Sequence, residues 1–473
     1  LFLLETFLSG KVFLLPLWLW PIIPNIAIFQ FHPAFGMYPN LYFFFKQVFG
    51  VEIQGLKLFN TFGLMVALAF ISAAWALTSE LRRRERNGWL TFTLEEIWVG
   101  KGAATSEILW NAFFGFVLGW KFVGFFMEKE AALADPQAFL LSGQGNVGAG
   151  ILLALVFAGA KWYSGKKEKL AKPEKRSIRI WPHTRVGDMI IFAALFGFGG
   201  AKIFHNLENW DELIADPIGS LLSFSGLTFY GGLICAGAAI LLYARKHKIN
   251  LWHLTDSFGP AMMIAYAVGR IGCQVAGDGD WGILNSAYIA EPDGTVQLAE
   301  PGQYEKSVSQ NLGYYQRSFQ GVKDINAIAD VPHKAFKAPG WLPAWMVAYT
   351  YPNNVLSEGV PLQNCEGKQW CTYLPNPVYP TPFYETVMGL ILFGVLWSLR
   401  KRLTAPGVLF GMYLIFNGLE RFLIEKIRVN TTYHLGNLYP TQAEIIAICL
   451  MLAGLAIVFL RRNRQPEKIN NNH

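Results

Sequence analysis

Two stretches of this chain carry charge where charge is costly. Arg270 closes the apolar run "LTDSFGPAMMIAYAVGR", and "NGLERFLIEKIR" holds Glu420, Arg421, Glu425 and Arg428. An ionisable side chain in apolar surroundings needs a partner or an aqueous cavity. Asn417, Arg421, Glu425 and Arg428 follow one another at intervals of four, four and three, which sets them on one face of a helix. Guanidinium groups from two helices, brought to one membrane depth, suit a phosphodiester, which they grip by charge-assisted and partly bidentate hydrogen bonds. An anionic phospholipid is the natural ligand. The plainer alternative is that each arginine snorkels to the interface and pairs with a carboxylate such as Glu425. That alternative fits Arg428 equally well. It fits Arg270 and Arg421 less well, because glycine-rich or aromatic backbone flanks them instead of open polar loop.

Helices in a membrane must position these groups. Of 473 residues, 53% are hydrophobic, 15% aromatic and only 15% charged, far from the balance of a soluble domain. About nine apolar runs, each long enough to cross roughly 30 Å of hydrocarbon as helix, fall near 57–80, 103–127, 147–164, 186–206, 220–244, 252–270, 383–399, 405–428 and 440–460. The expected fold is an all-α polytopic membrane protein. Basic clusters at 82–86, 166–176, 244–248, 400–402 and 461–464 follow every second run, which orients those ends and the C-terminus to the cytoplasm. The net charge of +7 is thereby a topology signal. It forms no continuous basic face of the kind nucleic acid requires.

Residues 1–56 form a hydrophobic or interfacial arm. Its first long run is broken by Pro16, Pro21 and Pro24, so a tenth span and a surface-lying segment fit it about equally. Residues 57–282 and 376–473 read as the two parts of a transmembrane core. Between them, 283–375 turns polar and proline-rich, an insertion on the periplasmic side that could meet a partner protein. A disulfide between Cys365 and Cys371 suits that oxidising side, and two free thiols are the alternative. Cys235, Cys273 and Cys449 show no metal-ligand spacing. No metal or cofactor is expected. A gapless likeness between the stretches starting at Lys121 and Lys202, sharing Ala-Asp-Pro and Leu-Leu-Ser, suggests a duplicated helical hairpin with 103–164 as the extra copy; chance similarity is the alternative.

Four stretches together, "SGLTFYGGLI" (225–234), "VGRIGCQVAGDGDWG" (268–282), "YPTPFYE" (379–385) and "GLERFLIEKIR" (418–428), resemble the bacterial prolipoprotein diacylglyceryl transferase family. Their order, spacing and topology agree with it. The resemblance implies an inner-membrane enzyme that moves the diacylglyceryl group of phosphatidylglycerol onto the lipobox cysteine thiol of a prolipoprotein, recognised with its signal peptide, in lipoprotein biosynthesis. It implies that Arg270, in the family's G-R-x-G signature, and Arg421, in its R-F-x-x-E-x-x-R stretch, bind the lipid phosphate. Glu425 and Arg428 complete that stretch, Gly269 and Gly272 allow close approach, and Tyr384 with Glu385 match the family's Y-E pair.

The chain also departs from the family pattern. The histidine of S-F-H-G-G is Tyr230 here, two asparagines become Cys273 and Ala276, and a glutamate becomes Asp278 with one extra residue before Trp281. A phenol with an ordinary pKa near 10 is a poor base at neutral pH. Tyr230 or Asp278 would therefore take over proton handling, or the thiol would need little help. The second hypothesis is a catalytically inactive relative that keeps the lipid site as a binding or membrane-complex assembly subunit. A transporter is a weaker third, since the charges cluster at one face and no broken-helix pair lies near the midplane.

Overall fold

The computed structural model describes residues 37–127, 139, 142–170, 172–222, 228–319, 324–363, 365, 370–433, 436 and 439–466. The first 36 residues, the Ala-Asp-Pro of the first repeat copy and the start of "SGLTFYGGLI" lie outside them. The protein is an all-α polytopic membrane protein with a few two-stranded ribbons. A short helix, α1 (Leu41–Phe49), is capped by Asn40 and ended by Gly50 at a positive φ of 68°. The first long helix, α2 (Thr61–Arg86), follows. Strand β1 (Thr93–Val99) then leads into α3 (Thr105–Leu118), which runs on through a π-turn to Met127. α4 (Val147–Lys167) returns to strand β2 (Glu174–Ile180), antiparallel to β1 with Thr93 opposite Ile180. The ribbon thus clamps the base of a helical hairpin.

Next come α5 (Val186–Glu208), the short α6 (Trp210–Ala215) and α7 (Pro217–Leu222), then α8 (Phe229–Lys246) and α9 (Leu251–Ala276). After the polar insertion, α12 (Thr381–Leu399), α13 (Val408–Glu425) and α14 (Gln442–Arg461) complete the bundle. Among the described residues, six helices are long and apolar enough to span: Thr61–Arg86, Thr105–Met127, Val147–Lys167, Pro182–Glu208, Thr381–Leu399 and Gln442–Arg461. α8, α9 and α13 occupy the other three runs read from the sequence. Their charged residues, Arg245 and Lys246 on α8, Asp256 and Arg270 on α9, and Glu420, Arg421 and Glu425 on α13, dilute the apolar signal.

Hydrocarbon gives helices no hydrophobic reason to associate, so small residues that let backbones close together set the packing. α9 is central. A Cβ on Gly272 would lie 3.0 Å from Met65 of α2, one on Gly389 of α12 would lie 3.0 Å from Ala267, and one on Gly259 would lie 3.1 Å from Tyr413 of α13. α13 and α14 meet through two layers one heptad apart. A Cβ on Gly411 would be 2.9 Å from the Gly454 carbonyl, and one on Gly418 would be 2.6 Å from that of Ala447. The two hairpins whose sequences are alike each hold a close glycine contact. Gly119 backs onto Ala149 and Gly150 in the first, and the equivalent Gly200 backs onto Gly231 in the second.

A buried ionic cluster locks the bundle at the N-terminal end of α9. Arg84 of α2 lies 2.9 Å from Glu80 and 3.4 Å from Asp256 of α9. Asp256 also accepts hydrogen bonds from the backbone N–H of Gly407 and Phe410, both at 2.8 Å, which fixes the start of α13. At the other end, Gly277 adopts a positive φ of 65° and stops α9 with a bond from its N–H to the Cys273 carbonyl.

The insertion folds as a small unit. β3 (Tyr288–Ala290) pairs with β4 (Val296–Leu298), α10 (Gln303–Gln310) and α11 (Leu312–Ser318) follow, and β5 (Val360–Pro361) pairs with β6 (Thr372–Tyr373). Leu284, Tyr304, Val308, Tyr315, Val331 and Tyr351 are among the side chains of its core. Fully buried Asn285 donates from Nδ2 to the carbonyls of Phe336 and Val347. Cys365 and Cys371 form a disulfide with Cα atoms 5.5 Å apart. The insertion leaves and returns at one point, because Gly282 N–H donates to Tyr379, Tyr379 N–H to Ile283, and Ile283 N–H to Ile427 just beyond α13.

Candidate functional site

Where α9, α12 and α13 meet beneath the insertion, the charged residues singled out by the sequence come together. Arg270 is on the last two turns of α9. Its Nε lies 3.0 Å from Oε2 of Glu385, one turn into α12, and its NH1 pairs with Asp280 in the turn that follows α9. The guanidinium also stands over the Tyr266 ring, 5.5 Å from its centroid, one turn earlier on the same helix. Tyr266 in turn donates to Oε1 of Glu420 at 3.0 Å.

From α13, Arg421 places NH2 3.0 Å from Oε2 of Glu425 and NH1 3.7 Å from Oε1 of Glu385. Glu425 also accepts from Asn430 at 2.6 Å. Arg428 lies beyond the helix, which ends at Glu425. Two tightened turns, Ile427 N–H to Ile424 and Arg428 N–H to Glu425, carry it back to the same side. The α-helical face read from the sequence therefore holds through Glu425, and a tightened turn supplies the last member. Arg428 NH2 is 2.7 Å from Oδ1 of Asp280, and its NH1 is 3.7 Å from Glu385.

Glu385 is thus the hub. Its side chain is wholly buried and faces three guanidinium groups, none of which makes a hydrogen bond of good geometry to it. Three arginines meet three carboxylates, Asp280, Glu385 and Glu425, so these ion pairs are formally neutral. Side-chain exposure is graded: 0% for Glu385 and Glu425, 27% for Arg421 and 35% for Asp280. Arg421 and Asp280 form the open side. Beside them, Gly279, Trp281, Phe319, Leu374, Arg428 and Val429 help line a cavity of about 280 Å³ between the bundle and the insertion.

Local sequence explains these positions. Thr381 at the start of α12 donates its hydroxyl to the Asp280 carbonyl at 2.5 Å, fixing the turn against the helix that carries Glu385. Gly282 can bear no side chain there, since a Cβ would lie 2.6 Å from the Ile427 carbonyl. Gly279, with φ of 97°, lets the turn fold back. Burial pushes the Asp280 carboxyl up, but the Arg428 and Arg270 guanidiniums outweigh it and hold the group below the ordinary carboxylate range. Asp278 behaves oppositely. Its burial, with Asp280 adding a like charge, outweighs a hydrogen bond to Cys273 and raises it above that range.

The family model for prolipoprotein diacylglyceryl transferase matches residues 136–460, well over half of the chain. The chain belongs to the prolipoprotein diacylglyceryl transferase family. Similar curated proteins, each named phosphatidylglycerol–prolipoprotein diacylglyceryl transferase, include one from Dehalococcoides mccartyi, 23% identical over 71% of this chain and 97% of its own length. Another, from Chromohalobacter salexigens, is 24% identical over 70% of this chain and 94% of its own. One from Staphylococcus carnosus is 24% identical over 72% and 96%.

Within this diacylglyceryl transferase family member, the other residues expected at the site divide into groups. Gly272 packs against α2, whereas a Cβ at Gly269 would meet nothing within 4 Å. Tyr384 turns away from Glu385 and donates to the Met346 carbonyl at 2.6 Å, tying α12 to the insertion. Tyr230 stands on the first turn of α8, which packs along α5, outside α9, α12 and α13, whose ends carry the cluster. Cys273, Asp278 and Asp280 bring one ligating atom each within 4.8 Å of one another. Of these three, Asp280 has both its oxygens engaged by guanidinium groups.

Two participants were missed from the sequence. Asp280 is the residue beside the extra position before Trp281, and its nearness to Arg270 was the available signal. Tyr266, which donates to the Glu420 already singled out, gave no signal, because the bond joins residues 154 positions apart.

Proposed function

We propose that this protein transfers the diacylglyceryl group of phosphatidylglycerol to the lipobox cysteine thiol of prolipoproteins. The observation that carries the reading is the convergence of Arg270, Arg421 and Arg428, from separate elements, on one partly open site at the insertion-side ends of the helices. In the reaction the acceptor thiolate attacks the glycerol carbon that bears the phosphate. A carbon–sulfur bond forms, the carbon–oxygen bond to phosphate breaks, and the electron pair leaves with glycerol phosphate. Guanidinium groups aimed at the phosphate stabilise the charge that grows there. Asp278, raised by burial yet beside the open turn, takes the thiol proton. The names of the curated relatives support this donor and acceptor.

The same reading sets the protein in the bacterial cytoplasmic membrane. The insertion and arginine cluster face the periplasm, the C-terminus and the basic ends of alternate helices face the cytoplasm, and 103–164 is an extra hairpin. The acceptor arrives with its signal peptide in the membrane. The test is purified protein with labelled phosphatidylglycerol and a lipobox peptide. Thioether-linked lipid on the peptide cysteine is the expected product. No product, where an ordinary family member works, overturns the reading.

A further inference from the structure

The strongest unassigned feature is Asp280. One carboxylate oxygen pairs with Arg270 and the other lies 2.7 Å from Arg428 NH2, so a single carboxylate bridges guanidiniums of two elements. That is the geometry a phosphodiester would adopt, since both anions present two oxygens at similar spacing to forked donors. The other two carboxylates of the cluster are sealed, with side chains 0% exposed, while Asp280 is 35% exposed and its chain neighbours Gly279 and Trp281, with Arg428, help wall the cavity. Asp280 lies in a turn, whereas Glu385 and Glu425 are built into α12 and α13. Its backbone is held by Thr381 at the carbonyl, so a side-chain rotation suffices.

We propose that Asp280 is a built-in occupant of the phosphate slot, a gate that holds Arg270 and Arg428 until an incoming phosphodiester displaces it. The inference rests on the transferase reading for the identity of the ligand, but on geometry alone for the gate. Charge balance favours exchange over addition. With Asp280 in place the ion pairs are already neutral, and a phosphate monoanion entering as Asp280 swings toward the cavity keeps them so. A bare cluster of buried guanidiniums would repel itself and lose order. The gate therefore keeps the site assembled between substrates, and a ligand too weakly anionic to compete leaves it shut.

The gate lowers apparent affinity, because ligand binds only the fraction with Asp280 displaced. Asp280→Asn keeps hydrogen-bonding capacity and removes the competing charge. Phosphatidylglycerol in nanodiscs should bind this variant about fivefold more tightly than the wild type, while phosphatidylcholine binding stays unchanged. Inorganic phosphate, tested in parallel by protection against thermal unfolding, separates a free phosphate from a lipid headgroup. A gain for either anion supports the gate, and a gain confined to inorganic phosphate assigns the slot to free phosphate. Asp280→Ser, which vacates the same slot with a smaller group, should give the same gain and serves if Asp280→Asn does not fold. Unchanged or weaker binding of both anions by the folded variant overturns the gate. Binding is read without turnover, so this outcome is separate from failure to form thioether.

Discussion

The Arg270 guanidinium lies 3.0 Å from a carboxylate oxygen of Glu385, a side chain with no exposed surface, and this contact joins α9 to α12 at the heart of the cluster. Glu385 sits at the right place to balance Arg421 and Arg428 as well. Replacing it by Gln keeps its shape and leaves three buried or half-buried cations short of a counter-charge. Breaking a buried pair in this way costs about 3–5 kcal/mol. Glu385→Gln should unfold at a clearly lower temperature in detergent and lose most transfer activity. A variant with wild-type thermal stability would show that Glu385 does not hold the arginines.

Arg421 is the most exposed of the three arginines and already spends one nitrogen on Glu425. Its planar fork can serve Glu425 and a phosphate at once, which the single ammonium of a lysine cannot. Arg421→Lys should therefore lose about 10²–10³-fold in transfer rate, with Arg421→Ala at least as low. Steady-state transfer to a lipobox peptide measures it, and a lysine variant within about twofold of wild type would restrict Arg421 to a structural role.

Opposite shifts at Asp278 and Asp280 give opposite pH dependences. Asp278 keeps its proton above the ordinary aspartate range, so its base form, and with it transfer, should rise as pH climbs through that raised value. Its stability contribution belongs to the protonated form, present below the unfolded pKa and lost through the same rise. Asp280 is held low, so its contribution is full above the unfolded pKa and disappears only as pH falls through the depressed value. A pH profile of kcat/KM for the wild type and Asp278→Asn checks the first claim. Survival of the rising limb in the variant would remove Asp278 as the base.

Gly389 is one helical turn after Glu385 and meets α9 where a Cβ would already be 3.0 Å from Ala267. Gly389→Val should push α12 outward and pull Glu385 from Arg270. Overpacking of this kind costs about 1–3 kcal/mol. The expected result is lower thermal stability together with at least about tenfold less transfer, measured on the same preparation. Full activity would mean that α12 can shift without disturbing the cluster.

The chain has five cysteines, and Cys365 and Cys371 are joined. Thiol alkylation of the unfolded, unreduced protein should therefore label Cys235, Cys273 and Cys449, and prior reduction should add the other two. Mass spectrometry reads the difference. Five labels without reductant would show a dithiol.

The sequence by itself determined the class of protein and the chemistry of its site. Runs of apolar residues dictate membrane helices because an unpaired backbone is not tolerated in hydrocarbon, and the few charges left inside them must be functional or paired. Arg270, Arg421, Glu425 and Arg428 were legible for that reason. Glu385 was legible only through its family likeness. The partners were not legible, because helical periodicity orders residues along one helix and says nothing of the angle at which another crosses it. Only tertiary packing, set by Gly259 and Gly272 on α9 and by Gly389 of α12 against it, makes Glu385 the common partner of three arginines and brings Tyr266 to Glu420. It also folds "AGDGDWG" into a tight loop whose second aspartate fills the space between two guanidinium groups. Close approach of backbones, and the electrostatic need to neutralise what they bring together, decided what spacing along the chain could not.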